Sequence, residues 1–141
     1  MKRASDLDLV KEDEVSESNM DDAATLKILL VDDHQIACKS TALLLEMSGY
    51  KVRTAFNGRT AIEIAPDFSP DIIILDIGLP DIDGYELLSR LKRFKELQSS
   101  KFIALTGFEE EMARSSQTGF DFHHFLRKPV DTTQLKALLN A

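Results

Sequence analysis

The chain has 141 residues, 43% of them hydrophobic, and a formal net charge of −7. That length suits one domain with a real core; no apolar stretch reaches the ~18–20 residues of a membrane span, and Met1-Lys2-Arg3 runs into acidic sequence rather than the apolar region of a signal peptide, so a cytoplasmic location is expected. The acidic balance leaves no basic footprint for nucleic acid, and the single Cys38 excludes an internal disulfide, in keeping with a reducing compartment.

Residues 1–25 carry three basic and eight acidic side chains, against fourteen and sixteen in residues 26–141. The leader has no aromatic residue and no sustained hydrophobic period, and is expected to be a largely disordered acidic tail. Leu7, Leu9 and Val10 are its only apolar cluster. Residues 26–141 form the predicted domain.

Lys27–Val31 reads as a strand, and Ile36, Leu43, Leu44 and Met47 then recur at helical spacing until Gly49 ends the helix. Cys38 on that helix is expected to be a small core residue. Lys51–Phe56 alternates as a second strand, Asn57-Gly58 is a turn signal, and Thr60–Ala65 is a short helix that Pro66 should stop. Asp71–Asp76 is a third strand and Ile77–Asp83 a loop. Gly84–Leu97 is a helix with Leu87, Leu88, Leu91 and Phe94 turned inward. Arg90, Lys92, Arg93 and Lys95 read as its solvated face. Lys101–Thr106 is a fourth strand, Glu109–Gln117 a polar helix ended by Gly119, Phe122–Arg127 a fifth strand and Thr132–Leu139 a last helix. Five strands, each followed by a helix, predict an α/β fold: a doubly wound parallel sheet with helices on both faces and right-handed crossovers.

Four of the strands end in chemistry. Asp32-Asp33 follow Val31, Asp76 ends the third strand, Thr106 ends the fourth, and Lys128-Pro129 follow the fifth. In parallel sheets ligands bind beyond the carboxyl ends of the strands, so these residues are expected to share one pocket. Neighbouring carboxylates raise one another's pKa unless a cation neutralises them. Mg2+ accepts a few carboxylates together with several waters, and Mn2+ is the alternative hard ion. With Lys128 adding a positive charge, the set suits an anion that arrives with the metal, such as a phosphoryl group. One carboxylate would then act as nucleophile while the amine and hydroxyl hold the phosphoryl oxygens.

The chain resembles the receiver domains of two-component response regulators over about residues 26–141. The residues that carry the resemblance are Ile28-Leu29-Leu30-Val31-Asp32-Asp33, the run from Ile74-Leu75-Asp76-Ile77-Gly78-Leu79-Pro80 to Asp83-Gly84-Tyr85-Glu86-Leu87, Ala104-Leu105-Thr106-Gly107, and Phe125-Leu126-Arg127-Lys128-Pro129. It is also similar to the receivers of hybrid histidine kinases. The resemblance implies a flavodoxin-like sheet of order 2-1-3-4-5 with five helices. It implies that Asp76 accepts phosphate from a phosphohistidine of a histidine kinase or phosphotransfer protein. Asp33, Asp76 and the Gly78 carbonyl would ligate Mg2+, with Asp32 acting through a metal-bound water. Lys128, joined to Pro129 by a cis bond, would pair with Asp76 and then with the phosphoryl group. Thr106 would move onto the phosphoryl oxygens, and Phe125 would swing inward with it.

Some positions depart from the family pattern. Phe125 lacks a phenolic hydroxyl, which leaves a switch by burial rather than by hydrogen bonding. His34 stands where an acidic or amide residue is more usual; it reads as an exposed helix start, with a pH-dependent charge beside the pocket as the alternative. His123-His124 reads as a strand end rather than a metal pair, because adjacent strand side chains face opposite ways. Gly78 and Phe108 offer no group to orient a water toward an acyl phosphate, so slow self-dephosphorylation is expected. The sequence ends two residues after Leu139, which points to output through a partner, at the surface of the Glu109–Gln117 helix, the fifth strand and the last helix. On this reading the protein is a switched binding module or phosphate shuttle, not an enzyme. An aspartate-nucleophile phosphohydrolase would need a second carboxylate at position 78. A flavin-binding protein would need a phosphate loop where Asp32-Asp33 stand. A constitutive scaffold would tolerate Asp76→Asn.

Overall fold

The computed structural model describes residues 25–107 and 122–140. The apolar runs form five strands: β1 (Lys27–Val31), β2 (Lys51–Ala55), β3 (Ile72–Asp76), β4 (Lys101–Thr106) and β5 (His124–Arg127). All pair parallel, in the order β2-β1-β3-β4-β5, the 2-1-3-4-5 arrangement expected. Among the described residues the helices are α1 (Gln35–Met47), α2 (Gly58–Phe68), α3 (Gly84–Leu91) and α4 (Thr132–Leu139), with a 3₁₀ turn at Lys95–Leu97. The helix predicted over Glu109–Gln117, Phe108 and nearly all of the predicted tail lie outside the described residues.

The strand period of two sorts the core into halves. Leu29, Val31, Ile73, Leu75, Phe102 and Ala104 pack with Ala61 and Ala65 of α2 and with Leu87, Leu88 and Leu91 of α3. Ile28, Leu30, Ile72, Ile74, Ile103 and Leu105 pack with Cys38, Ala42 and Leu45 of α1 and with Leu135 and Leu139 of α4. β3, central in the sheet, is buried along its whole length, whereas edge strand β2 alternates between exposed and half-buried residues before Ala55. This is the uninterrupted apolar pattern of a parallel strand covered on both faces.

Three local expectations are corrected. The apolar residues at helical spacing on α1 are not its buried face: Ile36, Leu43, Leu44 and Met47 are 85%, 57%, 45% and 75% exposed, while Cys38, Ala42 and Leu45 go inward. Small residues let α1 lie close to the sheet, and that close approach decides which stripe turns in. Pro66 does not stop α2, which runs on to Phe68. It stands in the last turn, where the Ser69 N–H still reaches the Ala65 carbonyl at 2.8 Å. The helix begun at Gly84 ends at Leu91 rather than Leu97. Phe94 turns extended, and the Gln98 amide donates to the Lys92 and Phe94 carbonyls at 2.8 Å each. The break carries Leu97 into the core, 1% exposed.

The loop from β3 to α3 is clamped at both ends. The Gly84 N–H donates to the Ile77 carbonyl at 3.1 Å, and a Cβ at Gly84 would lie 2.6 Å from Ile77 Cα, so only glycine permits the approach. At the middle, the Asp81 carboxylate accepts from the Gly58 and Arg59 N–H groups at 2.9 and 3.0 Å, capping α2 from another loop.

Candidate functional site

Register brings the acids together. Val31 pairs with Leu75, so the next residues, Asp32 and Asp76, leave the sheet side by side. Asp76 pairs with Leu105 and Thr106 with Arg127, which sets Thr106 and Lys128 along the same edge. The chain ends are held by backbone bonds: Asp32 N–H to Ala55 O at 3.0 Å, Ile77 N–H to Leu105 O at 3.0 Å and Lys128 N–H to Thr106 O at 2.8 Å.

Asp76 is the centre of the cluster and is 2% exposed. Its Oδ1 accepts from the Gly78 N–H at 2.9 Å, and its Oδ2 accepts from Lys128 Nζ at 2.6 Å. Lys128 also lies 3.6 Å from Asp32 Oδ1. Burial pulls the Lys128 ammonium toward neutrality, but the bond to Asp76 and the charges of Asp76, Asp32 and Asp33 outweigh it, and its pKa is raised. Lys128 is therefore a fixed cation. The Lys128–Pro129 peptide is cis.

One ammonium faces three carboxylates. Asp33 Oδ1 is shielded from solvent yet accepts no hydrogen bond. Single donor atoms of Asp32, Asp33, His34 and Asp76 all lie within 4.8 Å of one another. An orphaned carboxylate oxygen in an anionic pocket is costly unless a cation joins it, so the donor set fits a divalent ion.

Thr106 is fully buried, and its Oγ1 donates to the Leu126 carbonyl at 3.5 Å, at the long limit of a hydrogen bond. Phe125 is half-buried against the α2/α3 half of the core, its ring centroid 5.7 Å from that of Phe122. Gly78 is exposed. The sequence-predicted residues Asp32, Asp33, Asp76, Gly78, Thr106 and Lys128 thus occupy one end of the sheet, while Phe125 lies within β5, opposite Ala104. His123 and His124 stand apart from the cluster; His123 Nδ1 accepts from the Phe102 N–H at 3.0 Å.

His34 is the exposed helix start expected, the N-cap residue of α1, and its Nδ1 also stands beside the pocket, 3.3 Å from Asp32 Oδ1 and 3.5 Å from Asp33 Oδ1. One residue escaped the sequence reading: Asp81 acts across more than twenty residues, and no local signal marked it.

A cleft of about 350 Å³ opens beside the cluster, lined by Asp32, His34, Ala37, Thr41, Lys128, Pro129 and Val130. A larger one, about 630 Å³, lies between α2 and α3. Its two arginines pair with Glu86 at 2.9 Å and Glu63 at 3.8 Å, and its other two acids, Asp81 and Asp83, accept from the backbone N–H groups of Gly58, Arg59 and Tyr85, so each acid there already has a partner.

A family model described as the response regulator receiver domain matches residues 28–140. An uncharacterized 14.6 kDa protein of Leptolyngbya boryana is 30% identical over 120 residues, 85% of this chain and 92% of that protein. A response regulator of Synechocystis is 35% identical over 83% of this chain, which spans 51% of that relative; the chain likewise spans about half the length of several other curated regulators it matches. A solved CheY-like receiver domain from Methylobacillus flagellatus is similar with TM-score 0.74 and 28% identity, over 82% of this chain and 97% of that one. The receiver domain of a sensor histidine kinase from Pseudomonas aeruginosa, described with a magnesium ion coordinated in its active-site cleft, gives TM-score 0.73 and 26% identity over 82% and 95%.

Proposed function

The chain belongs to the response regulator receiver domain family of two-component signalling, and from that premise we propose that Asp76 is its phosphoacceptor. The observation that carries the proposal is the buried Asp76 carboxylate held by Lys128 at 2.6 Å beside two further acids. A carboxylate oxygen of Asp76 attacks the phosphorus of a phosphohistidine on a kinase or phosphotransfer protein. The P–N bond breaks, the imidazole leaves with the electron pair, and an acyl phosphate forms. Lys128 passes from Asp76 to the incoming phosphoryl oxygens.

Mg2+, or Mn2+ in its place, would be held by Asp33, Asp76 and the Gly78 carbonyl, with Asp32 acting through a metal-bound water, and would supply neutralising charge for phosphoryl transfer. Thr106 is the switch. Its long bond to the Leu126 carbonyl holds it weakly, so a phosphoryl group that accepts from Oγ1 favours the alternative state. Phe125 would move with it by burial.

Residues 26–141 act as the receiver unit and 1–25 as its acidic tail. β5 carries Phe125 and leads directly into Lys128, which links the site to the surface of β5 and α4. Downstream docking belongs there, and the domain acts in the cytoplasm as a switched partner or phosphate shuttle. Among the described residues no helix is long and apolar enough to cross a membrane. A phosphohydrolase is disfavoured because position 78 is glycine.

Incubation with acetyl phosphate and Mg2+, read by phosphate-affinity electrophoresis and intact mass, tests the assignment. The wild type should gain one phosphoryl group and Asp76→Asn none. Modification retained in the variant, or absent from both, would refute it.

A further inference from the structure

His34 adds to the cation pocket a donor that Mg2+ has no use for. Its Nδ1 lies 3.3 Å from Asp32 Oδ1 and 3.5 Å from Asp33 Oδ1, and the donors of Asp32, Asp33, His34 and Asp76 all fall within 4.8 Å. Ligands on adjacent corners of an octahedral ion at ~2.1 Å stand ~3.0 Å apart, and opposite ones ~4.2 Å. The His34 distances are a few tenths of an ångström above the first value, and the span of the whole set, up to 4.8 Å, must contract by about 0.6 Å to reach the second. Asp33 Oδ1, solvent-shielded and accepting no hydrogen bond, is one of the two oxygens His34 faces.

The ring is placed there by the backbone. The His34 N–H donates to Asp32 Oδ1 at 3.0 Å, folding residues 32–34 into a tight turn that aims the side chain back over the acids. As the N-cap of α1 it makes no side-chain bond to the helix. The ring is 70% exposed, so little desolvation opposes its turning to a metal.

We propose that His34 is a nitrogen ligand that makes this pocket a mixed oxygen–nitrogen site selective for borderline divalent transition metals, such as Co2+ or Zn2+, over Mg2+. The inference rests on the cation site of the proposed function and extends it. Imidazole suits these ions, whereas carboxylate, carbonyl and water suit Mg2+. With a transition metal, His34 takes one corner beside the three acids. With Mg2+, a water takes that corner and His34 stays in solvent.

Calorimetric titration of the full chain with Mg2+ and with Co2+, for wild type, His34→Gln and Asp33→Asn, separates the two readings. Loss of His34 should weaken Co2+ by at least the ~10-fold typical of lost supporting groups around a metal, change Mg2+ less than about twofold, and alter the Co2+ d–d spectrum. Asp33→Asn should weaken both ions. Equal Co2+ affinity and an unchanged spectrum in His34→Gln, with Mg2+ still bound, would overturn the role of His34 alone. Absence of binding by either ion would overturn it together with the cation site.

Discussion

At the scale of single residues, charge placement explains both the site and a distant support. Asp81 caps α2 from the β3–α3 loop. Burial, the largest single influence, raises its pKa, but the bonds from the backbone N–H groups of Gly58, Arg59, Asp81 and Ile82 together outweigh burial and lower it. A carboxyl lowered in the folded state stabilises above its ordinary value, and the contribution is lost as pH falls through the folded value. Asp81→Ala should therefore cost about 1 kcal/mol at neutral pH, measured as a shift of the urea midpoint, and the gap to wild type should narrow below pH ~4. A gap independent of pH would assign the loss to packing. Gly78 bears on lifetime: without a side chain there, nothing at that position orients an attacking water. The phosphorylated chain should lose phosphate slowly in a phosphate-release assay, and a half-life of seconds would contradict this. Cys38 is inert beside these groups, its thiol pushed up to about 12 by burial and the nearby Asp32 charge.

At the scale of elements, α1 departs most from its hydrophobic pattern. Its buried stripe is Cys38, Ala42 and Leu45, and its larger apolar side chains face outward. Leu45→Ala should cost about 2–5 kcal/mol in chemical denaturation, the usual toll of a core cavity. Leu43→Gln and Met47→Gln should stay within ~0.5 kcal/mol of wild type. The reverse ranking would mean that the helix is rotated. α3 repeats the point from the other direction: its stripe of Leu87, Leu88 and Leu91 was legible because all three are large and inward. Its end was not, because the Gln98 bonds that replace the next helical turn depend on the extended Phe94.

At the scale of the whole molecule, the sheet concentrates negative charge at one edge. Asp32, Asp33 and Asp76 meet beyond the carboxyl ends of β1 and β3, where the chain winds outward in opposite directions and leaves a crevice. The folded state alone brings these acids together, so it alone gains from a bound cation. Mg2+ at 100-fold its dissociation constant should stabilise the domain by ~2.7 kcal/mol, seen as a higher Tm that a chelator reverses. Asp33→Asn should lose that gain while being at least as stable as wild type without metal, since one repulsive charge is gone. Equal Mg2+ stabilisation of both would remove Asp33 from the cation site.

The sequence by itself determined the strands, their parallel pairing and the acids, hydroxyl and lysine at their ends. Apolar runs alternating with helical periods admit few arrangements, and each chemical group is tied covalently to a strand end. Only the tertiary structure decided which stripe of α1 faces inward, that α2 passes through Pro66, and that Asp81 caps a helix from another loop. Those features depend on how closely separate segments approach one another. That distance is set by the packing of the whole core and by no local pattern.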